Sequence, residues 1–208
     1  MALSYTNCGS VILAGGLSRR MGTCKALLRW NSTTIIHHIA QQLHNFDEIL
    51  LSANDKTVGT ALGISCIPDI YPDAGPLSGL YSALSATQKT HLFSVPCDLP
   101  FFQDMLPTFL LQHMEPDVQV LICRDGTGRL HPLCGIYSTS VLPILREQLE
   151  KGEYKVSHFL DRVSIQILDT GGILPDHIYY NVNTPEAYQK ANIMMQAIWA
   201  GKADNSIF

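Results

Sequence analysis

Ser10-Val11-Ile12-Leu13-Ala14-Gly15-Gly16-Leu17-Ser18-Arg19-Arg20-Met21-Gly22-Thr23-Cys24-Lys25 passes from an apolar run into three glycines, two arginines and a lysine. The apolar run predicts a strand over Ser10–Ala14. Glycines allow backbone N–H groups to approach an anion closely and form a nest, and Arg20 and Lys25 bring the charge that a polyphosphate requires. A loop of this composition after a strand belongs at the carboxyl edge of an α/β sheet, where such folds bind their ligands. It is not a Walker A loop, because Gly22 is followed by Thr23 and Cys24 rather than by Lys-Ser/Thr, and it is not GxGxxG. A plain turn with solvated arginines is the competing reading, which the further presence of Gly22 and Lys25 in register disfavours.

Beyond this loop, short apolar runs alternate with segments of helical period, the pattern of βα units around a mostly parallel sheet. Strands are predicted at Ser10–Ala14, Glu48–Ala53, Ser65–Ile67, His91–Val95, Val118–Cys123, His131–Tyr137 and Ser164–Leu168. Helices are predicted at Thr34–Leu43, Leu77–Leu84, Gln103–His113, Val141–Glu150 and Thr184–Ala200, the last opening on Asn183-Thr184-Pro185-Glu186. No repeat or linker divides the chain, so residues 1–208 are expected to form one domain.

Composition narrows the class. At 208 residues, 46% hydrophobic and 15% charged, the chain can bury a core without disulfides or a structural metal. A net charge of −4 with no Lys/Arg run argues against nucleic acid as a partner. No apolar run is long enough for a membrane helix and no leader pattern is visible, so the expectation is a cytoplasmic protein. The six cysteines lack any CxxC pair and are expected to be reduced, small hydrophobes.

Asp98 ends the apolar run His91-Leu92-Phe93-Ser94-Val95 and precedes Leu99-Pro100, which places its carboxylate at the carboxyl edge beside the phosphate loop. Mg²⁺ is commonly held by one or two carboxylates plus substrate phosphates, so Asp98 is the candidate metal ligand, with turn capping as its alternative. Asn181 and Asn183 straddle Val182 and, in extended chain, face the same side, suited to metal-bound water or an acceptor phosphate; Asn183 is equally a helix cap. His131, before Pro132, is expected to be structural, since phosphoryl transfer from an ionised phosphate needs no base.

Leu13-Ala14-Gly15-Gly16-x-Ser18-x-Arg20-Met21-Gly22-x-x-Lys25, then Asp73-Ala74-Gly75-Pro76-Leu77-Ser78-Gly79-Leu80, Val95-Pro96-Cys97-Asp98-Leu99-Pro100, His131-Pro132-Leu133 and Asn181-Val182-Asn183-Thr184-Pro185-Glu186 follow in order. Together they resemble the molybdenum cofactor guanylyltransferase family, within the larger group of sugar-phosphate and cofactor nucleotidyltransferases, across roughly residues 9–190. The resemblance implies a Rossmann-like, three-layer nucleotidyltransferase fold. It also implies an enzyme that transfers GMP from GTP to molybdenum-molybdopterin with Mg²⁺, in transient contact with other proteins of molybdenum cofactor biosynthesis. Carried over residue by residue, it implies catalysis by Arg20, Lys25 and Asp98, with Arg19 a second basic residue of the loop. Nucleotide binding is implied at Leu13, Ala14, Gly15, Gly16, Gly22, Lys25, Ser52, Asp69 and Asp98, and acceptor binding at Lys155, Asn181 and Asn183. Asp73 competes with Asp69, Asn54 with Ser52, and a solvated surface position with the role of Lys155.

The chain departs from the family at Cys24, where an acid is usual, and at Ser52, where an asparagine is common. Other readings are cytidylyl transfer to the same acceptor, nucleotidyl transfer to another phosphorylated metabolite, and a non-catalytic nucleotide-binding protein on the same fold. Leu-Ala-Gly-Gly and Asn-Val-Asn-Thr-Pro favour guanylyl transfer, and the joint presence of Arg20, Lys25 and Asp98 disfavours mere binding.

Overall fold

The structure is a computed structural model that describes residues 3–15, 24–199 and 201. In chain order its elements are β1 (Cys8–Leu13), β2 (Arg29–Trp30), β3 (Thr33–Thr34), α1 (Ile35–Gln42), β4 (Ile49–Ser52), α2 (Lys56–Leu62), β5 (Cys66–Ile67) and α3 (Pro76–Ala86). These are followed by β6 (His91–Pro96), α4 (Met105–His113), β7 (Val120–Arg124), β8 (Leu130–Ser138), α5 (Leu142–Glu150), α6 (Val156–Leu160), β9 (Ile165–Asp169) and α7 (Pro185–Trp199). Seven strands form one sheet in the order β5-β4-β1-β6-β8-β7-β9. All are parallel except β8, which runs against both β6 and β7. All seven sheet strands lie where the sequence predicts them, within a few residues.

Every residue of β1 is buried, as expected of a strand covered by helices on both faces. Its side chains alternate between two cores. Ile12 joins Phe93, Leu121, Ile136 and the apolar sides of α1, α4 and α7; Val11 and Leu13 join Leu92, Ile122 and those of α3 and α5. Helix, sheet and helix therefore form three layers. The chain crosses from β1 outward to β4 and β5, then returns to β6 on the other side of β1, so the order reverses between β1 and β6. A crevice opens at the carboxyl ends of strands at such a reversal.

Three features differ from the sequence expectation. The β2–β3 ribbon, two residues per strand, is too short to leave a period. In α2, Asp55 caps the first turn by accepting the Thr57 N–H at 2.9 Å, and Gly63 ends the helix in left-handed conformation. A central glycine, Gly59, masks this helix in sequence; it is needed because a Cβ there would sit 2.5 Å from the Ile64 carbonyl oxygen. The short α6 is anchored by one buried side chain, Phe159. No helix among the described residues is long and apolar enough to cross a membrane.

Ile12 is fully buried in the sheet's centre. Ile12→Ala should therefore cost about 2–5 kcal/mol and lower Tm by roughly 5–15 °C. Thermal melts should show no such loss for Ile193→Ala, whose side chain is 64% exposed.

Candidate functional site

The crevice holds a cavity of about 210 Å³ whose walls include Leu13, Ala14, Gly15, Lys25, Ser52, Asp69 and Asp98. Backbone hydrogen bonds fix its floor. Ala14 N–H donates to the Ser52 carbonyl at 2.8 Å and Cys97 N–H to the Leu13 carbonyl at 3.0 Å, carrying both ladders of β1 past the strand's end. Gly16, Arg19, Arg20 and Gly22 lie outside the described residues.

One group of residues lines one part of the cavity. Asn54 and Asp69 bind reciprocally: the Asn54 amide donates to Asp69 Oδ2 at 2.8 Å, and Asp69 N–H donates to Asn54 Oδ1 at 2.9 Å. The other carboxylate oxygen, Asp69 Oδ1, is buried without a hydrogen-bond partner among the described residues, and so is Ser52 Oγ. Gly79, in the first turn of α3, keeps this space open: a Cβ there would lie 2.5 Å from Ser52 Oγ and 3.5 Å from Asp69 Oδ1. Burial raises the Asp69 carboxyl above its ordinary pKa, Asn54 pulls it down and the Asp73 charge adds to the rise. Buried polar atoms are costly to leave unpaired, so this pair marks a place for a polar ligand. Asp73 is exposed and does not line the cavity, and Asn54 braces Asp69 from behind while Ser52 faces the space. Pro76 begins α3 beside the cavity, and the positive end of the helix dipole there favours an anion.

A second group gathers around Asp98. Burial raises its carboxyl, while the nearby Lys25 ammonium and a backbone N–H lower it. The Lys25 ammonium donates to Asn183 Oδ1, and Val182 N–H donates to the Asp98 carbonyl at 2.8 Å, so the segment Asn181–Asn183 is pinned to the cavity rim. Among the described residues no three His, Cys, Asp or Glu side chains cluster as a metal cage. A half-buried carboxylate lining the cavity still fits Mg²⁺, which takes one or two protein carboxylates and completes its shell with water and substrate oxygens. Cys24 and Cys97 also line the cavity, and burial drives the Cys97 thiol far up, so it stays protonated.

Lys155 does not line this cavity. It is exposed at the start of α6, where its carbonyl accepts from the Gln148 amide at 3.0 Å. His131 lies in a neighbouring recess, stacked on Tyr179 with ring centroids 4.1 Å apart and bonded through Nε2 to Asp125 Oδ2 at 2.7 Å. Sequence reasoning missed Asp125 and the recess around it; the Asp125-Gly126-Thr127-Gly128 turn between two strands is the signal that marks them.

Asp125 is held at about 2 against the opposing effect of burial, by Thr127, His131 and the Arg129 and Thr127 backbone N–H groups. A carboxyl depressed on folding stabilises the protein above its unfolded pKa and loses that contribution as pH falls through the folded value. Wild type should therefore lose stability between about pH 4 and 2 more steeply than Asp125→Asn, measured as urea midpoints across that range.

The profile of the MobA-like NTP transferase domain family matches residues 10–166. The chain is 35% identical over 186 residues to the "probable molybdenum cofactor guanylyltransferase" of Carboxydothermus hydrogenoformans, covering 86% of this chain and 92% of that one. It is 32% identical over 188 residues to the "molybdenum cofactor guanylyltransferase" of Shewanella piezotolerans, covering 87% and 90%. Among solved structures, molybdopterin-guanine dinucleotide biosynthesis protein A of Archaeoglobus fulgidus superposes with a TM-score of 0.76 at 18% identity, over 90% of this chain and 98% of that one. A CMP:2-keto-3-deoxy-manno-octonic acid synthetase complexed with CTP superposes at 0.73 and 16% identity, over 93% and 100%. These two likenesses are of fold.

Proposed function

The chain belongs to the MobA-like NTP transferase domain family, and from that premise we propose that it transfers GMP from GTP to the terminal phosphate of molybdenum-molybdopterin. The observation that carries this reading is the pair of buried atoms Ser52 Oγ and Asp69 Oδ1, without hydrogen-bond partners among the described residues, in the same cavity as Lys25 and Asp98. A carboxylate accepts from the adjacent N–H groups of guanine, and a hydroxyl can donate to its ring acceptors. The base and ribose lie toward Ser52, Asp69 and the backbone of Leu13–Gly15, and the triphosphate toward Lys25, Asp98 and the loop that carries Gly16, Arg20 and Gly22.

An oxygen of the acceptor phosphate attacks the α-phosphorus of GTP as the bond to the β-phosphate oxygen breaks, and pyrophosphate leaves with the electron pair. Lys25 and Arg20 balance the charge on the triphosphate and on the departing pyrophosphate. Asn183, held by Lys25, and Asn181 orient the acceptor phosphate in line. Asp98 is the residue that would hold Mg²⁺, whose chemistry there is to neutralise charge developing on the α-phosphate. No base is required, in keeping with His131 being tied to Asp125. Cytidylyl transfer to the same acceptor is the second reading, since the same cavity suits any base that presents N–H donors to Asp69.

Calorimetry with GTP, CTP, ATP and UTP, with and without Mg²⁺, should show GTP bound tightest and Mg²⁺-dependent; tighter binding of CTP would move the reading to cytidylyl transfer. Asp98→Ala should keep its fold and lose at least about a hundredfold in turnover, and wild-type activity in saturating Mg²⁺ would remove Asp98 from the metal site. Gly79→Ala should weaken GTP by about tenfold, or ~1.4 kcal/mol, because the new methyl intrudes on Ser52 Oγ. An unchanged GTP affinity would move the nucleoside away from this wall.

A further inference from the structure

Two paired strands bring Asn54 to Asp69. In the β4–β5 ladder Ser52 stands opposite Ile67, and Ala53 N–H donates to the Ile67 carbonyl at 3.1 Å, so just past that register Asn54 comes beside Asp69. The Asp69 N–H donates to Asn54 Oδ1 at 2.9 Å, and a backbone donor can meet only the oxygen of a side-chain amide. That bond settles which way the amide faces: its nitrogen lies toward the carboxylate and donates to Asp69 Oδ2 at 2.8 Å. Asn54 itself is exposed and lines a groove beside α2, not the nucleotide cavity.

Close backbone confines the same carboxylate on its other sides. A Cβ on Gly15 would lie 3.3 Å from Asp69 Oδ2, and one on Gly79 would lie 3.5 Å from Oδ1. Oδ2 is taken by Asn54, whereas Oδ1 is buried without a hydrogen-bond partner among the described residues, in a side chain that lines the cavity. Burial pushes the carboxyl up and the Asp73 charge adds to the rise, while the Asn54 amide draws it down. Protonated at Oδ1, Asp69 would meet an amino group of a base donor to donor; ionised, it accepts.

We infer that Asn54 is a positioning residue for base selectivity. It acts through Asp69: by occupying Oδ2 it turns Oδ1 to the cavity as the acceptor for the exocyclic amino group of the nucleobase. The inference rests on the nucleoside lying against Asp69, as proposed above, but not on which amino-bearing base it carries.

Equilibrium binding of nucleotides that differ at that amino group tests it: GTP against ITP, which lacks the group, and CTP against UTP, in which an oxo group replaces it. The variants are Asn54→Ala, which removes both bonds, and Asn54→Asp, which keeps an oxygen for the Asp69 N–H but cannot donate to the carboxylate. Because Asn54 is exposed, both should fold normally. Wild type should bind GTP about tenfold or more tighter than ITP, and both variants should bring that ratio to within about twofold. ITP affinity should change by less than about threefold in Asn54→Ala. A wild-type ratio in Asn54→Asp would reduce Asn54 to a structural brace for the backbone and overturn the inference, as would a parallel loss of GTP and ITP or the absence of any preference in wild type. A wild-type preference for CTP over UTP that both variants erase would uphold Asn54 and defeat guanylyl transfer instead.

Discussion

The backbone hydrogen bonds that continue the sheet beyond β1 set the positions of everything at the site. Leu13 accepts from Cys97 on one side, and Ala14 donates to Ser52 on the other. These bonds hold three strand ends at a common level, so the residues that follow them emerge together: Gly15 after β1, Ser52 at the end of β4 and Asp98 after β6. Because β1 is buried on both faces, a shift of register would pull Ile12, Val11 and Leu13 out of two cores at once. Packing of the apolar strand thus fixes the spacing of polar groups that never touch it.

Burial also gives those polar groups their chemistry. Asp69 and Asp98 both sit where desolvation raises the carboxyl, and each is only partly compensated, by Asn54 and Lys25 respectively. Uncompensated charge in such a place costs stability in the empty protein, and the proposed reaction offers each its missing partner, N–H donors for Asp69 and a cation for Asp98. The cavity is therefore organised before its ligands arrive, and the cost of that organisation is borne by folding.

Much of this was legible in the sequence, for identifiable reasons. The seven sheet strands are apolar runs between turn residues, and the alternation with helices gave the parallel sheet. Asp98 could be placed because a carboxylate directly after an apolar strand has little freedom over which edge it occupies. The α2 helix escaped because its glycine, Gly59, answers to the approach of Ile64 rather than to helix propensity. Pairing across distance was also out of reach: that Asn54 braces Asp69 and leaves Ser52 facing the cavity depends on β4 and β5 lying side by side.

The single antiparallel strand explains why two recesses share one edge. Had β8 run parallel to β6, its first residues would lie at the opposite edge, and the β7–β8 connection would have to cross the sheet. Running backward, β8 starts at the carboxyl edge, so Arg124 at the end of β7, the Asp125–Arg129 turn and His131 all gather there. Beyond them Leu133 turns into the nucleotide cavity and its carbonyl accepts from the Ser94 hydroxyl at 3.0 Å. The register shift between Ile122 and Cys123 lets His131 and Leu133 serve different recesses although they are only two residues apart. The parallel half of the sheet supplies the cavity at the reversal between β1 and β6, and the reversed strand supplies the recess beside it.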